Sequence, residues 1–158
     1  MIVVVMGVAG AGKSTLGAAL ARRLGWTFID ADDHHRPGNV AKMAAGIPLE
    51  DDDRWPWLDL LNRKLREESA NSLVLACSAL KEAYRRRLLD GVAASRVVYL
   101  HGSFELIASR LAARRHRYMP ASLLESQFAA LEPPAGAIAI DVAAEPARCV
   151  DAIVERLG

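Results

Sequence analysis

Ile2-Val3-Val4-Val5-Met6-Gly7-Val8-Ala9-Gly10-Ala11-Gly12-Lys13-Ser14-Thr15 is the stretch on which the reading of the chain turns. The run from Ile2 to Met6 is apolar throughout, the mark of a strand covered on both faces, as in a parallel sheet. Gly7 to Ser14 then fits G-x-x-x-x-G-K-[ST], the loop that wraps phosphate groups. Gly7, Gly10 and Gly12 let the backbone close around phosphate oxygens with its N–H groups pointing inward. Lys13 reaches the β- and γ-phosphates, and the Ser14 hydroxyl is placed to ligate Mg²⁺. Apolar positions at Leu16, Ala19, Leu20 and Leu24 predict a helix from Ser14 to Leu24, its positive N-terminal end facing the phosphates. The alternative, a Gly/Ala-rich turn with no ligand, leaves both the lysine and the following hydroxyl without a purpose. Gly7, Gly10, Ala11, Gly12, Lys13, Ser14 and Thr15 are therefore the expected nucleotide-binding residues.

The rest of the chain sets bounds. At 158 residues it is expected to form one domain, residues 1–158, with enough material for a substantial core. Hydrophobic residues make up 52% and charged residues 25%, and the formal net charge is +1, which gives no reason to expect nucleic-acid or membrane partners. Arg85-Arg86-Arg87 is an isolated basic run in a near-neutral chain and does not alter that. Cys77 and Cys149 lie in apolar segments and read as inert buried thiols. The apolar start has no basic region before it and is too short for a signal peptide, and no apolar run approaches the roughly 20 residues of a membrane span. A cytoplasmic location is expected.

Strand and helix signals alternate along the chain. A second strand, Trp26 to Ile29, follows the capping Gly25 and ends in Asp30, Asp32, Asp33, His34, His35 and Arg36. Pro37 to Ala45 reads as a short helix closed by Gly46. Asp51-Asp52-Asp53 suits the start of a helix reaching about Ala70, with Trp57, Leu58, Leu61 and Leu65 inward. Further strands are expected at Ser72–Ala76, Arg96–Leu100 and Ala137–Ile140, and further helices at Glu82–Leu89, Phe104–Ala113, about Ala121–Leu131 and Pro146–Leu157. The fold class is α/β, a P-loop NTPase fold with about five parallel strands flanked by helices. In such sheets ligands bind at the carboxyl ends of the strands, which puts the acidic end of strand two beside the P-loop. A basic stretch at about 114–120 reads as a small lid within the domain.

A P-loop alone indicates a nucleotide, not a reaction. No strand ends in the Asp-Glu pair of a motor ATPase, and no guanine-reading Asn/Thr-Lys-x-Asp occurs, so nothing in the residues specifies guanine and the choice between ATP and GTP stays open at this point. Compact size, an acidic acceptor side and a basic lid that can exclude water fit a small-molecule kinase. The stretch Asp32-Asp-His-His35-Arg-Pro-Gly-Asn39-Val-Ala-Lys42-Met43-Ala-Ala-Gly46-Ile-Pro48-Leu49-Glu-Asp51-Asp-Asp53-Arg54-Trp-Pro56-Trp57-Leu58 resembles the signature of the bacterial-type gluconokinase family. So do Cys77-Ser78-Ala79-Leu80-Lys81-Glu-Ala-Tyr84-Arg85 and Ser126-Gln127-Phe128 leading to Leu131-Glu132-Pro133. The resemblance spans roughly the whole chain. It implies transfer of the ATP γ-phosphoryl group to the 6-hydroxyl of D-gluconate, feeding sugar-acid catabolism, with Mg²⁺ as cofactor, a nucleoside-monophosphate-kinase-like fold and commonly a homodimer. The chain departs from the family pattern at His34 and Arg36, which flank the motif His, and in the lid at His116-Arg117-Tyr118. Competing readings are a kinase for another small acid such as shikimate, and a non-catalytic nucleotide-binding regulator.

These patterns nominate individual residues. Asp32 is the candidate to accept the proton of the acceptor hydroxyl or to orient it, against a turn-capping role. Asp30 could serve the site or simply end its strand. An anionic polyol needs a cation for its carboxylate and polar groups for its hydroxyls, which nominates Arg54, Lys81 and Arg85, with His35 and Ser78 for hydroxyls. The alternative for Arg54 is an ion pair with Asp51 or Asp53 on its own helical turn. Asn39 and Lys42 belong to the motif as sugar contacts or as structural groups. In the lid, Arg114 is expected to neutralise charge on the transferring phosphoryl group, with Arg110 and Arg117 as further candidates and Arg115 facing solvent. Trp55 and Trp57 read as packing residues rather than a sugar platform.

Overall fold

The computed structural model describes residues 1–113 and 121–158. Five strands, β1 (Ile2–Met6), β2 (Thr27–Asp30), β3 (Leu73–Ala76), β4 (Ser95–His101) and β5 (Ile138–Asp141), form one sheet in the order β2-β3-β1-β4-β5, with every neighbouring pair parallel. The chain leaves β1 through helix α1 (Lys13–Leu24), passes over the place of β3 to reach β2, and later crosses back from β3 through α4 (Glu82–Leu89) to β4 on the other side. The strand order therefore reverses at the β1–β3 boundary, where open α/β sheets hold their ligands.

Alternation along β1 explains the layers. Ile2, Val4 and Met6 pack on one face with Trp57, Leu58, Leu61 and Leu65 of α3 (Asp51–Glu67) and Tyr84 and Leu88 of α4. Val3 and Val5 pack on the other face with Leu16 and Leu20 of α1, Ile107 and Leu111 of α5 (Phe104–Ala112), and Val150 and Ile153 of α7 (Pro146–Leu157). All five β1 residues are buried, as a strand covered on both sides requires. Each fully buried Leu or Ile contributes roughly 1.5–3 kcal/mol, so this double-sided strand anchors the loop that follows it.

The expected elements are all present, with shifted ends. β2 runs to Asp30 rather than Ile29, which places that carboxylate on the strand's last residue. α3 stops at Glu67 rather than about Ala70, because Ser69, Ala70 and Asn71 turn the chain toward β3, with Asn71 N–H donating to the Glu68 carbonyl at 2.9 Å. Its start is fixed by Glu50 N–H donating to Asp53 Oδ2 at 2.9 Å, one half of a capping box. Two further helices flank the cleft described below, α2 (Pro37–Ala44) and α6 (Ala121–Ala130). Among the described residues, no helix is long and apolar enough to cross a membrane. The residues expected to form the lid, 114–120, lie outside the described part of the chain.

Candidate active site

At the carboxyl ends of β1 and β3 the loops enclose a cleft of about 1070 Å³. Its floor is the P-loop, and the shape of that loop follows from its glycines. A side chain at Gly7 would come within 2.8 Å of the Leu100 carbonyl oxygen, and one at Gly10 within 2.6 Å of Leu111 Cγ. Gly10 and Gly12 also hold φ of 81° and 96°, which an L-residue with a side chain rarely adopts. Gly12 is the cap of α1, so that helix begins at Lys13 with its N-terminus aimed into the cleft. Lys13 Nζ donates to the Val8 carbonyl at 3.1 Å, folded back over the loop.

Beside the loop, Ser14 Oγ donates to Asp30 Oδ2 at 2.5 Å, and Asp30 Oδ1 accepts from Asp32 N–H at 3.0 Å. Asp30 ends its strand and also holds Ser14: it caps the short 3₁₀ turn Ala31–His34, from which Asp32 lines the cleft. The Ser14 hydroxyl and Asp30 carboxylate make an oxygen-only donor pair of the kind a hard divalent cation takes together with phosphate oxygens and water. Among the described residues there is no cluster of three or more His, Cys, Asp or Glu side chains suited to a metal.

The same cleft carries two further cations. Arg54 and Lys81 both line the cleft and share one aromatic ring, Arg54 Cζ lying 5.1 Å and Lys81 Nζ 5.7 Å from the centroid of Tyr84. Tyr84 donates from its hydroxyl to Asp51 Oδ1 at 2.5 Å, and Lys81 Nζ stands 4.0 Å from the same oxygen. Burial and that hydrogen bond push the Tyr84 hydroxyl up to about 12, so it remains a donor at neutral pH. Arg54 makes no ion pair with Asp51 or Asp53; its Nη1 donates to the Leu49 carbonyl. Asp53 instead takes Lys42, whose Nζ lies 2.9 and 3.0 Å from its two carboxylate oxygens and ties α2 to the start of α3. Their mutual hydrogen bond lowers the Asp53 carboxyl and raises the Lys42 ammonium.

His35 also lines the cleft. Its ring stacks on Trp57 with centroids 4.0 Å apart and planes 18° off parallel, and Trp57 Nε1 donates to the Ala31 carbonyl at 2.9 Å. Burial lowers the His35 pKa; Asp32 opposes this and the Arg54 charge adds to it, leaving a neutral imidazole at pH 7.

Of the residues expected from sequence, the fold brings Gly10, Gly12, Lys13, Ser14, Asp32, His35, Arg54, Ser78 and Lys81 to one cleft. Gly7 and Ala11 lie behind the loop and shape it; Ala11 is 1% exposed and donates from its N–H to the Val8 carbonyl at 3.2 Å. Thr15 is exposed and does not reach the cleft. Arg110 does not line the cleft; it lies in the last turn of α5, where its charge lowers the Cys149 thiol against the upward push of burial. Arg85 is not a cleft residue either. It is 6% exposed, with Nη1 donating to the Ala79 carbonyl at 2.8 Å and Nη2 to the Glu132 carbonyl at 2.8 Å. Ala79 has φ of 43°, the one positive value at a non-glycine among the described residues, so Arg85 braces the strained turn that presents Ser78 and Lys81. Arg114 and Arg117 fall outside the described residues. Cys77 is a buried thiol pushed up to about 12 and is inert.

Sequence reasoning gave no role to Gln127, whose Oε1 accepts from the Ala9 N–H at 2.7 Å and ties α6 to the P-loop. The available signal was its position in the Ser126-Gln127-Phe128 motif. Asp51 and Tyr84 were missed for a different reason: they are 33 residues apart, and only the packing of α3 on α4 joins them.

A family model described as shikimate kinase matches residues 9–131. A protein of Xenopus tropicalis named "Probable gluconokinase" is 46% identical, over 90% of this chain and 85% of the relative. A solved gluconokinase from Sinorhizobium meliloti 1021 superposes with a TM-score of 0.89 at 43% identity, covering 98% of this chain and 91% of that one. A solved shikimate kinase from Aquifex aeolicus superposes with a TM-score of 0.61 at 19% identity, covering 99% and 96%, which is a likeness of fold alone.

Proposed function

The chain belongs to the gluconokinase family, within the wider group of shikimate-kinase-like P-loop kinases, and on that premise we propose how its cleft phosphorylates gluconate. The donor is ATP and the acceptor is the 6-hydroxyl of D-gluconate. The P-loop N–H groups, Lys13 and the N-terminus of α1 hold the β- and γ-phosphates. Ser14, with Asp30 behind it, would hold Mg²⁺ on those phosphates, where the ion supplies charge neutralisation. Arg54 and Lys81 hold the gluconate carboxylate and so fix which end of the molecule reaches the phosphate. Asp32 receives the proton of the acceptor hydroxyl as the new P–O bond forms and the bond to the ADP oxygen breaks. The transition state is loose and the chemistry is mostly a matter of aim, so the residues that orient the hydroxyl matter more than basicity.

The observation that carries this reading is the presence in one cleft of a phosphate-binding loop, Asp32 and a pair of cations that share the Tyr84 ring. That set of groups suits an acceptor that carries both a carboxylate and a hydroxyl. A coupled ADP-release assay with Mg-ATP and a panel of D-gluconate, other aldonic acids, shikimate and no acceptor tests it. Turnover is expected to be fastest with D-gluconate. Faster turnover of shikimate would move the chain to the other activity of its wider group, and ATP binding without turnover of any acid would favour the regulator.

A further inference from the structure

Asn39 is buried, 6% exposed, and its amide is oriented by what it faces. Its Nδ2 lies 3.0 Å from the Asp53 carbonyl oxygen, a group that can only accept, so the nitrogen and not the oxygen of the amide must point there. The same nitrogen is 3.4 Å from His35 Nδ1. An NH₂ group has two protons and no lone pair to offer, so the second proton goes to His35, whose Nδ1 must then be the bare nitrogen. The ring proton is left on Nε2. Nε2 faces Asp32, with Oδ1 3.8 Å away, beyond direct hydrogen-bond reach. His35 lines the cleft with 3% of its side chain exposed. Among the described residues no sealed-off side-chain nitrogen or oxygen lacks a partner, and Nε2 has none at hydrogen-bonding distance.

A donor on Nε2 and an acceptor on Asp32, 3.8 Å apart on one wall, fit a hydroxyl oxygen between them. That hydroxyl gives its proton to Asp32 and accepts from Nε2–H with one lone pair, which leaves its second lone pair for phosphorus. We propose that Asn39 is a positioning residue that fixes His35 as the Nε2–H tautomer, and that His35 and Asp32 together grip and aim the acceptor hydroxyl. Stacking on Trp57 holds the ring in plane, and the depressed basicity of His35 keeps it a neutral single donor rather than a cation that would pair with Asp32. The hydroxyl-aiming part rests on the kinase reading; the tautomer does not.

Two experiments separate these. Long-range ¹H–¹⁵N correlation on histidine-labelled protein reads which ring nitrogen carries the proton, with His35 assigned by its absence in His35→Gln. The wild type should be protonated on Nε2, and Asn39→Asp, whose carboxylate accepts, should move the proton to Nδ1 or charge the ring. A proton on Nδ1 in the wild type would overturn the proposal. The second experiment is a double-mutant cycle on kcat. A glutamine at position 35 presents its amide nitrogen where the imidazole has Nε2, and that donor has no tautomer to set. Asn39→Asp should therefore lower kcat about tenfold or more in the wild type, with ATP KM within about twofold, yet have little effect in the His35→Gln background. Equal losses in both backgrounds would mean that Asn39 only fastens α2 to α3. Where Asn39→Asp fails to fold, His35→Gln against His35→Asn decides: glutamine should retain at least about tenfold more activity, because asparagine places its donor at the Nδ1 position. Wild-type protein that turns over no acid would sink the kinase reading and the aiming role with it, while the tautomer would still stand or fall by the correlation spectrum.

Discussion

Arg85→Ala separates a brace from a substrate ligand. Arg85 is 6% exposed, and its guanidinium satisfies two backbone carbonyls, Ala79 and Glu132, each at 2.8 Å. Truncation leaves both oxygens without that donor, at about 1–3 kcal/mol apiece, and opens space beneath Met6 on the floor of the sheet. The sum is about 4 kcal/mol. For a domain of this size each kcal/mol shifts Tm by roughly 2–4 °C, so a fall of about 10 °C is expected. The turn braced at Ala79 carries Ser78 and Lys81, so a modest rise in gluconate KM should accompany the loss, with kcat recovered at saturating acid. Thermal unfolding and steady-state kinetics on the same preparation read both. A Tm within about 2 °C of wild type with gluconate KM raised more than tenfold would refute the argument and return Arg85 to the substrate.

Other perturbations follow from the same geometry. Asp32→Asn should lower kcat by about a hundredfold or more while leaving ATP KM nearly unchanged; an effect confined to ATP KM would reassign Asp32 to the nucleotide side. Arg54→Ala should raise gluconate KM about tenfold or more, the worth of one charge-assisted hydrogen bond, and an unchanged KM with a lower Tm would mean that Arg54 serves only the Leu49 carbonyl and the Tyr84 ring. His35 has a pKa depressed below 6.5, so the unfolded chain binds more protons there than the folded one. Its contribution is thus fully present above about pH 6.5 and is lost as pH falls from there through the lower folded value. Between pH 7 and pH 5 the stability of His35→Phe, which can keep the stack on Trp57, should fall less steeply than that of wild type; equal slopes in denaturant titrations would refute it.

What was legible in the sequence was legible because the chemistry is local. The P-loop fixes its own conformation from contiguous residues, and the buried run Ile2–Met6 fixes the strand that carries it. Given those two, the rule that ligands sit at the carboxyl ends of parallel strands places Asp32 correctly without a contact map. Arginines were the hard case. Arg54, Arg85 and Arg110 have the same side chain, yet Arg54 lines the cleft, Arg85 is buried and Arg110 does not line the cleft. What sorts them is the rotation of each helix about its axis, set by the whole apolar face: on α4 the residues Tyr84 and Leu88 go inward, and Arg85, next to Tyr84, is carried under the turn with them. The same rotation makes Tyr84 a cleft residue that no composition argument would choose. Lys42 and Asn39 show the complementary case. Both sit in a motif that resembles a substrate-binding signature, and both contact Asp53 at the start of α3, Asn39 reaching His35 as well. A motif reports that residues act together; it does not report which of them touch the substrate. In this cleft the residues near Asp53 hold His35 and α3 in place, and the cations that line it are supplied one residue later, at Arg54, and beside it on the Tyr84 ring, at Lys81.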